Sequence, residues 1–250
     1  MDTDMVVSPP HAEEGTAEDE EPSLIIPIKS GSKPGQFIEI FPEEMPDTPS
    51  STLLQVLKDE DADLGVWADA ALKYIQHKQH ARDAAQILEA GCQRAEKGSK
   101  DDRVRIFAAA GIAHLTTAQE ETSGADASGG KRAEHDLREE LTSKADNRFT
   151  LSSKVDNLFP MTWIGKGMLN LQNNRLEQAR FFFDTTLKEC GKVLPALLGM
   201  AAAMYMERNY TAAQNTYAEA IRLYPTKSGA ATRVGFGLSC YRLGQVRNWA

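Results

Sequence analysis

The 250 residues include 36 acidic side chains and five histidines, enough to form several groupings that resemble reactive or metal-binding sites. His77 and His80 stand three apart, a spacing that presents two imidazoles to one ion. Neither has an acid or cysteine placed to complete a tetrahedral set, so the pair reads as a surface turn. Asp59-Glu60-Asp61-Ala62-Asp63-Leu64-Gly65 opens like a calcium loop. Its sixth place holds Leu64 where the turn needs glycine, and its twelfth holds Ala70 where a bidentate Glu should sit. Gly165-Lys166-Gly167 and Gly235-Phe236-Gly237 imitate the start of a dinucleotide loop, yet neither has the third glycine or a preceding strand. There is no phosphate-binding P-loop, no G-x-S-x-G elbow and no Cys with a convincing His partner. His114 sits on a helical pattern among apolar neighbours and reads as a core or groove histidine. No enzymatic activity, cofactor, metal or small-molecule substrate is expected.

What would position side chains in this chain is a repeat. Thirty-four residues beyond Gly167, Ala179, Phe183 and Thr186 stand Ala201, Ala213, Tyr217 and Ala220. That period and the residue types match the tetratricopeptide pattern, in which small residues let two helices approach and an aromatic fills the gap to the next helix. Trp163 begins the first copy. The second, with Leu197, Met200 and Pro225, fits better, the proline stopping its second helix. A third begins near Ser228 with Val234, Gly235 and Leu238 in place. The fold class expected is all-α, a solenoid of helical hairpins with an extended, partly β-prone amino-terminal arm. No capping helix with a polar outer side is seen, so the chain reads as the front of a longer array that would be prone to aggregate alone.

Of the acids, eight lie within residues 1–22, which carry no Lys or Arg; the remaining 28 match the 28 Lys and Arg. A neutral body with a solvated acidic arm argues against a direct nucleic-acid surface, which needs a clustered basic face. Cys92, Cys190 and Cys240 are odd in number and far apart, pointing to a reducing compartment. No stretch reads as a signal peptide or as a membrane helix.

In chain order we expect an acidic disordered arm over 1–22 and extended strands with a Pro-rich segment over 23–50. A degenerate helical hairpin follows over 51–98, then a helix pair over 99–159 with a mobile insertion at 119–131. Repeats follow at 160–193 and 194–227, with a partial one at 228–250. Leu24 to Ile28 and Phe37 to Phe41 are strand-prone, with Pro27 confining the first to an edge. Their apolar residues Ile25, Ile28, Phe37, Ile38 and Ile40 form either a docking strip for a partner strand or a cover for the chain's own solenoid.

In such a solenoid the first helix of each hairpin lines a concave groove. Reading its second, fifth, ninth and twelfth places gives Met161, Ile164, Met168 and Leu171, then Pro195, Leu198, Ala202 and Tyr205, then Gly229, Thr232, Phe236 and Ser239. This set predicts an apolar partner-binding surface. Co-chaperone domains of this type place Lys, Arg and Asn there to clamp a carboxylate, and none occurs at these places. The alternatives are therefore a peptide-binding adaptor of co-chaperone type, which the groove chemistry disfavours, or the regulatory half of a larger enzyme.

Several strings in order add a more specific likeness. They are I-P-I-K at Ile26 to Lys29, F-I-E-I at Phe37 to Ile40, W-A-D-A-A-L-K-Y at Trp67 to Tyr74, P-A-L-L-G-M-A at Pro195 to Ala201, and R-V-G-F-G-x-x-C-Y-R-L-G at Arg233 to Gly244. The chain from about residue 24 resembles the large tetratricopeptide scaffold subunit of the RNA polymerase II-associated factor complex, in a fungal-looking version. The resemblance implies a nuclear, non-enzymatic scaffold whose partners are the other subunits of that complex, linking transcription elongation to histone modification.

Overall fold

The computed structural model describes residues 23–29, 35–45, 51–78, 80–123 and 131–244. The acidic arm at 1–22, most of the loop before Gly35, residues 124–130 of the expected insertion and the last six residues lie outside this set.

Among the described residues ten α-helices follow a two-stranded hairpin. They are α1 (Ser51–Asp59), α2 (Leu64–Lys73), α3 (Ala81–Cys92), α4 (Lys100–Ser123), α5 (Lys131–Val155), α6 (Pro160–Gln172), α7 (Leu176–Cys190), α8 (Leu194–Met206), α9 (Tyr210–Leu223) and α10 (Ala230–Arg242). From α2 onward each helix packs on the next, and the even-numbered helices also pack on one another, α2 on α4 through to α8 on α10. This is the helical-hairpin solenoid expected from the period. α4 runs on to Ser123, so helix extends five residues into the stretch expected to be irregular from Gln119.

The stacking rests on one device. Phe149, Phe183 and Tyr217 stand at successive intervals of 34 on α5, α7 and α9, and each is buried. Ala145, Ala179 and Ala213 precede them by four, while Ser152, Thr186 and Ala220 follow by three; all six have no exposed surface. One face of each odd helix is thus small, large, small, the shape that meshes with an even helix carrying glycine. Gly111 on α4 and Gly165 on α6 both face the Phe149 ring, Gly167 and Gly199 face Phe183, and Gly235 faces Tyr217. Gly165, Gly167 and Gly235, which imitated the start of a dinucleotide loop, are there because a ring lies against the helix backbone.

Polar detail completes the joints. Ser152 donates to the Val104 carbonyl at 3.0 Å and shares a 2.7 Å hydrogen bond with Thr162, tying α5 to α4 and α6 inside the core. In the turns before α7 and α9, Asn174 and Arg208 take left-handed conformations with φ of 56° and 64°. Asn209 caps α9, its side-chain oxygen accepting from Ala212 N at 3.3 Å.

At the other end, β1 (Leu24–Pro27) pairs antiparallel with β2 (Phe37–Ile40), Leu24 opposite Ile40 and Pro27 opposite Phe37. The alternation of the strands divides their side chains. Leu24 and Ile26 enter the core that also holds Trp67, Leu57 and Ile106, and Ile38 and Ile40 pack against it. Lys29 fastens the hairpin from outside, with its Nζ 2.9 Å from Asp63 and its amide donating to Glu60 Oε2 at 2.7 Å.

Candidate functional site

The inner-groove positions read from the sequence do not form one accessible surface. Ile164 is 4% exposed and packs with Phe183 and Met200, while Met168 and Leu171 lie half-buried against the same cluster. Thr232 is 4% exposed and Ser239 not at all. Leu198, Tyr205 and Phe236 pack against the cluster of Ala201, Ala213 and Tyr217, and Ala202 is half-buried. Met161 remains exposed at 40%, with Pro195 and Gly229. The physical reason for the correction is close spacing. Glycines on the even helices admit the Phe149, Phe183 and Tyr217 rings of the odd helices, and the resulting close approach uses up side chains such as Ile164 within the stack itself.

The arm divides likewise. Ile38 and Ile40 pack against the chain's own core, the covering role of the two alternatives, and Ile28 is half-buried. Ile25 and Phe37 point away from the core, Phe37 with 62% of its surface exposed.

A groove that the sequence reading passed over lies further along. The odd helices α3 and α5 both pack on α4 and stand as walls on either side of it. One end is a cavity of about 620 Å³ bordered by Leu54 and Lys58 of α1, Arg82 and Gln86 of α3, Glu121 of α4, and Leu137, Glu140 and Lys144 of α5. The other end, about 560 Å³, is bordered by Lys100, Arg103 and Phe107 of α4 and by Arg148, Leu151, Lys154 and Val155 of α5. Gln93 borders both.

One charged pair crosses the groove. Arg148 of α5 donates from Nε to Glu89 Oε2 of α3 at 3.0 Å and from Nη2 to Oε1, a forked contact. His114 of α4 lies behind it, 6% exposed, with Nε2 3.4 Å from Glu89 Oε2. Only an N–H can face that carboxylate oxygen, so the proton sits on Nε2 and Nδ1 is a buried acceptor without a partner. Burial pushes the His114 pKa down, against the pull of Glu89. Burial alone would raise the Glu89 carboxyl; the hydrogen bond and charge of Arg148, helped by His114, outweigh it and hold the carboxyl below its ordinary range. The arrangement is an ion pair over a neutral imidazole. It clamps two helices at a fixed distance. The signal in the sequence was the 34-residue step from Phe183 back to Phe149, which places α5 in register as a repeat helix and α3–α5 as a pair of walls.

The other groupings fall into structural roles. Asp61 is held to about pKa 2 by hydrogen bonds from Lys97 and Arg94, so the imitation calcium loop is engaged by cations. His80 lies 3.1 Å from Asp83 at the start of α3, and the His77 side chain lies outside the described set. Cys92 is buried, with its thiol pushed up to about 12 by desolvation, and Cys190 is exposed. Among the described residues no group of three His, Cys, Asp or Glu side chains converges on a metal position, and no helix is long and apolar enough to cross a membrane.

No family model matches the sequence. Over 228 residues, 90% of this chain, it is 27% identical to Protein CTR9 homolog from Arabidopsis thaliana. The chain resembles that protein along nearly all its length. The likeness read from the short strings is borne out by this match, although the chain spans 19% of the relative's own length. A solved structure, Assembly Chaperone of RpL4 (Acl4) (residues 1–338), aligns over 77% of this chain and 81% of that one at 14% identity. Its TM-score of 0.33 is too low to bear on fold or function.

Proposed function

We propose that this chain is a non-enzymatic scaffold that holds partner polypeptides of the RNA polymerase II-associated factor complex in the nucleus. Its work there belongs to transcription elongation and the histone modification coupled to it. The observation that carries the reading is the 27% identity to Protein CTR9 homolog over 228 residues. The architecture supports it physically: each hairpin contacts its neighbours and little else, so the chain presents long walls and grooves in place of an enclosed pocket. The surfaces put forward for partners are the α3–α4–α5 groove, the outward face of the arm at Ile25 and Phe37, and Met161. The half-buried members of the inner set, Leu198, Tyr205 and Phe236, contribute at their edges.

The test is crosslinking mass spectrometry of the affinity-tagged chain recovered from nuclei. Crosslinks from Lys58, Lys100, Lys144 and Lys154 to subunits of the complex are the expected result. Recovery of a folded chain without those subunits would remove the proposal.

A further inference from the structure

The two ends of the α3–α4–α5 groove differ in charge. At the end near Gln93 and Phe107, the bordering residues Lys100, Arg103, Arg148 and Lys154 are positive and Glu96 is negative. Such local excess is notable in a body whose charges otherwise balance. Two of the four cations are engaged: Arg148 by Glu89, and Lys100 by Asp156 at 3.8 Å. Among the described residues Lys154 forms no ion pair. Arg103 is half-buried at the cavity wall and, among the described residues, forms no ion pair. Beside these charges lie Phe107, Leu151 and Val155, a short apolar floor.

We infer that this basic end of the groove receives an acidic linear segment of a partner protein, with a carboxylate forked by Arg103 and steadied by Lys154. An apolar side chain next to that carboxylate rests on Phe107 and Leu151. Nucleic acid is the poorer fit, since cations that follow a phosphate backbone are strung along an open face, whereas these converge on a cavity with a greasy floor. The inference rests on the scaffold reading and names the chemistry of one partner segment.

Fluorescence anisotropy of the whole chain with a labelled peptide alternating Glu and Leu tests it. A matched peptide with Gln for Glu and a labelled single-stranded oligonucleotide serve as comparisons. The acidic peptide is expected to bind, to weaken as salt is raised, and to lose about ten-fold in affinity on Lys154→Gln and again on Arg103→Gln. Lys154 is exposed, so its substitution leaves the fold intact, and circular dichroism checks both variants. Equal binding of the Gln peptide, tighter binding of the oligonucleotide, or unchanged affinity in both variants would overturn the inference. So would binding that appears only after removal of residues 1–22, which would make the chain's own acidic arm the occupant. Any of these results with subunit recovery from nuclei intact leaves the scaffold reading standing, whereas loss of that recovery by the unsubstituted chain sinks the scaffold itself.

Discussion

Placing a methyl group on Gly111 tests the packing that spaces the repeats and sets the floor of the groove. An ideal Cβ there would stand 2.5 Å from one Phe149 ring carbon and 2.8 Å from two others. Carbon atoms in contact prefer about 3.5–4.0 Å, so the ring would have to retreat by about 1 Å. It has nowhere to go, because its other side lies against the α6 backbone at Gly165. Overpacking of this kind costs about 2–3 kcal/mol, and the helix propensity gained by replacing glycine returns about 1 kcal/mol. A net loss of about 1–2 kcal/mol is expected for Gly111→Ala. Phe149→Ala alone should cost about 3–5 kcal/mol, as a fully buried ring leaves a cavity. In the Phe149→Ala background the clash is gone, so Gly111→Ala should become stabilising by about 1 kcal/mol. Urea denaturation followed by far-ultraviolet circular dichroism gives all four corners of the cycle, and the sign reversal is the signature. If Gly111→Ala stabilised the unsubstituted chain as much as the Phe149→Ala chain, the claim that the glycine exists to admit the ring would be refuted.

Four further outcomes follow from the same coordinates. His114 has a folded pKa below its ordinary 6.5, so its contribution is complete above that value and is lost as pH falls below it; melting temperature should drop as pH falls below 6.5, and His114→Gln should flatten the drop. Glu89 is also depressed, from 4.5, so a second loss should begin as pH falls below that, absent in Glu89→Gln. Ile26→Asp, at a fully buried position, should cost several kcal/mol, about 3 or more, while Phe37→Asp on the outward face should change stability by less than about 0.5 kcal/mol. A thiol reagent should modify exposed Cys190 in the native chain and reach Cys92 and Cys240 only on unfolding; rapid labelling of all three would contradict the packing around α3 and α10.

Much of the architecture was legible because the solenoid repeats a local rule. Ala179, Phe183 and Thr186 recur as Ala213, Tyr217 and Ala220, and small-large-small on one face forces a hairpin whatever its neighbours are. The same triplet at Ala145, Phe149 and Ser152 was present but harder to see. The long α4 and residues 124–130 move its first helix out of the 34-residue count, so the match survives only in the second helix. The strands were also visible, since Ile and Phe beside a Gly-rich loop favour paired extended chain.

The site was another matter. The inner positions were assigned from the general geometry of such repeats, which fixes the direction of a side chain but not how near the next helix comes. Gly167, Gly199 and Gly235 brought the helices close enough for Ile164, Thr232 and Ser239 to be consumed in the stack. The arm could not be assigned from alternation alone, because apolar residues stand on both faces of it.

Sequence by itself settled the class of fold, because helix period and small-residue placement are properties of neighbours along the chain. Tertiary structure alone decided where the open groove lies. Glu89 and Arg148 are 59 residues apart, so the groove has no existence until α3, α4 and α5 are packed together.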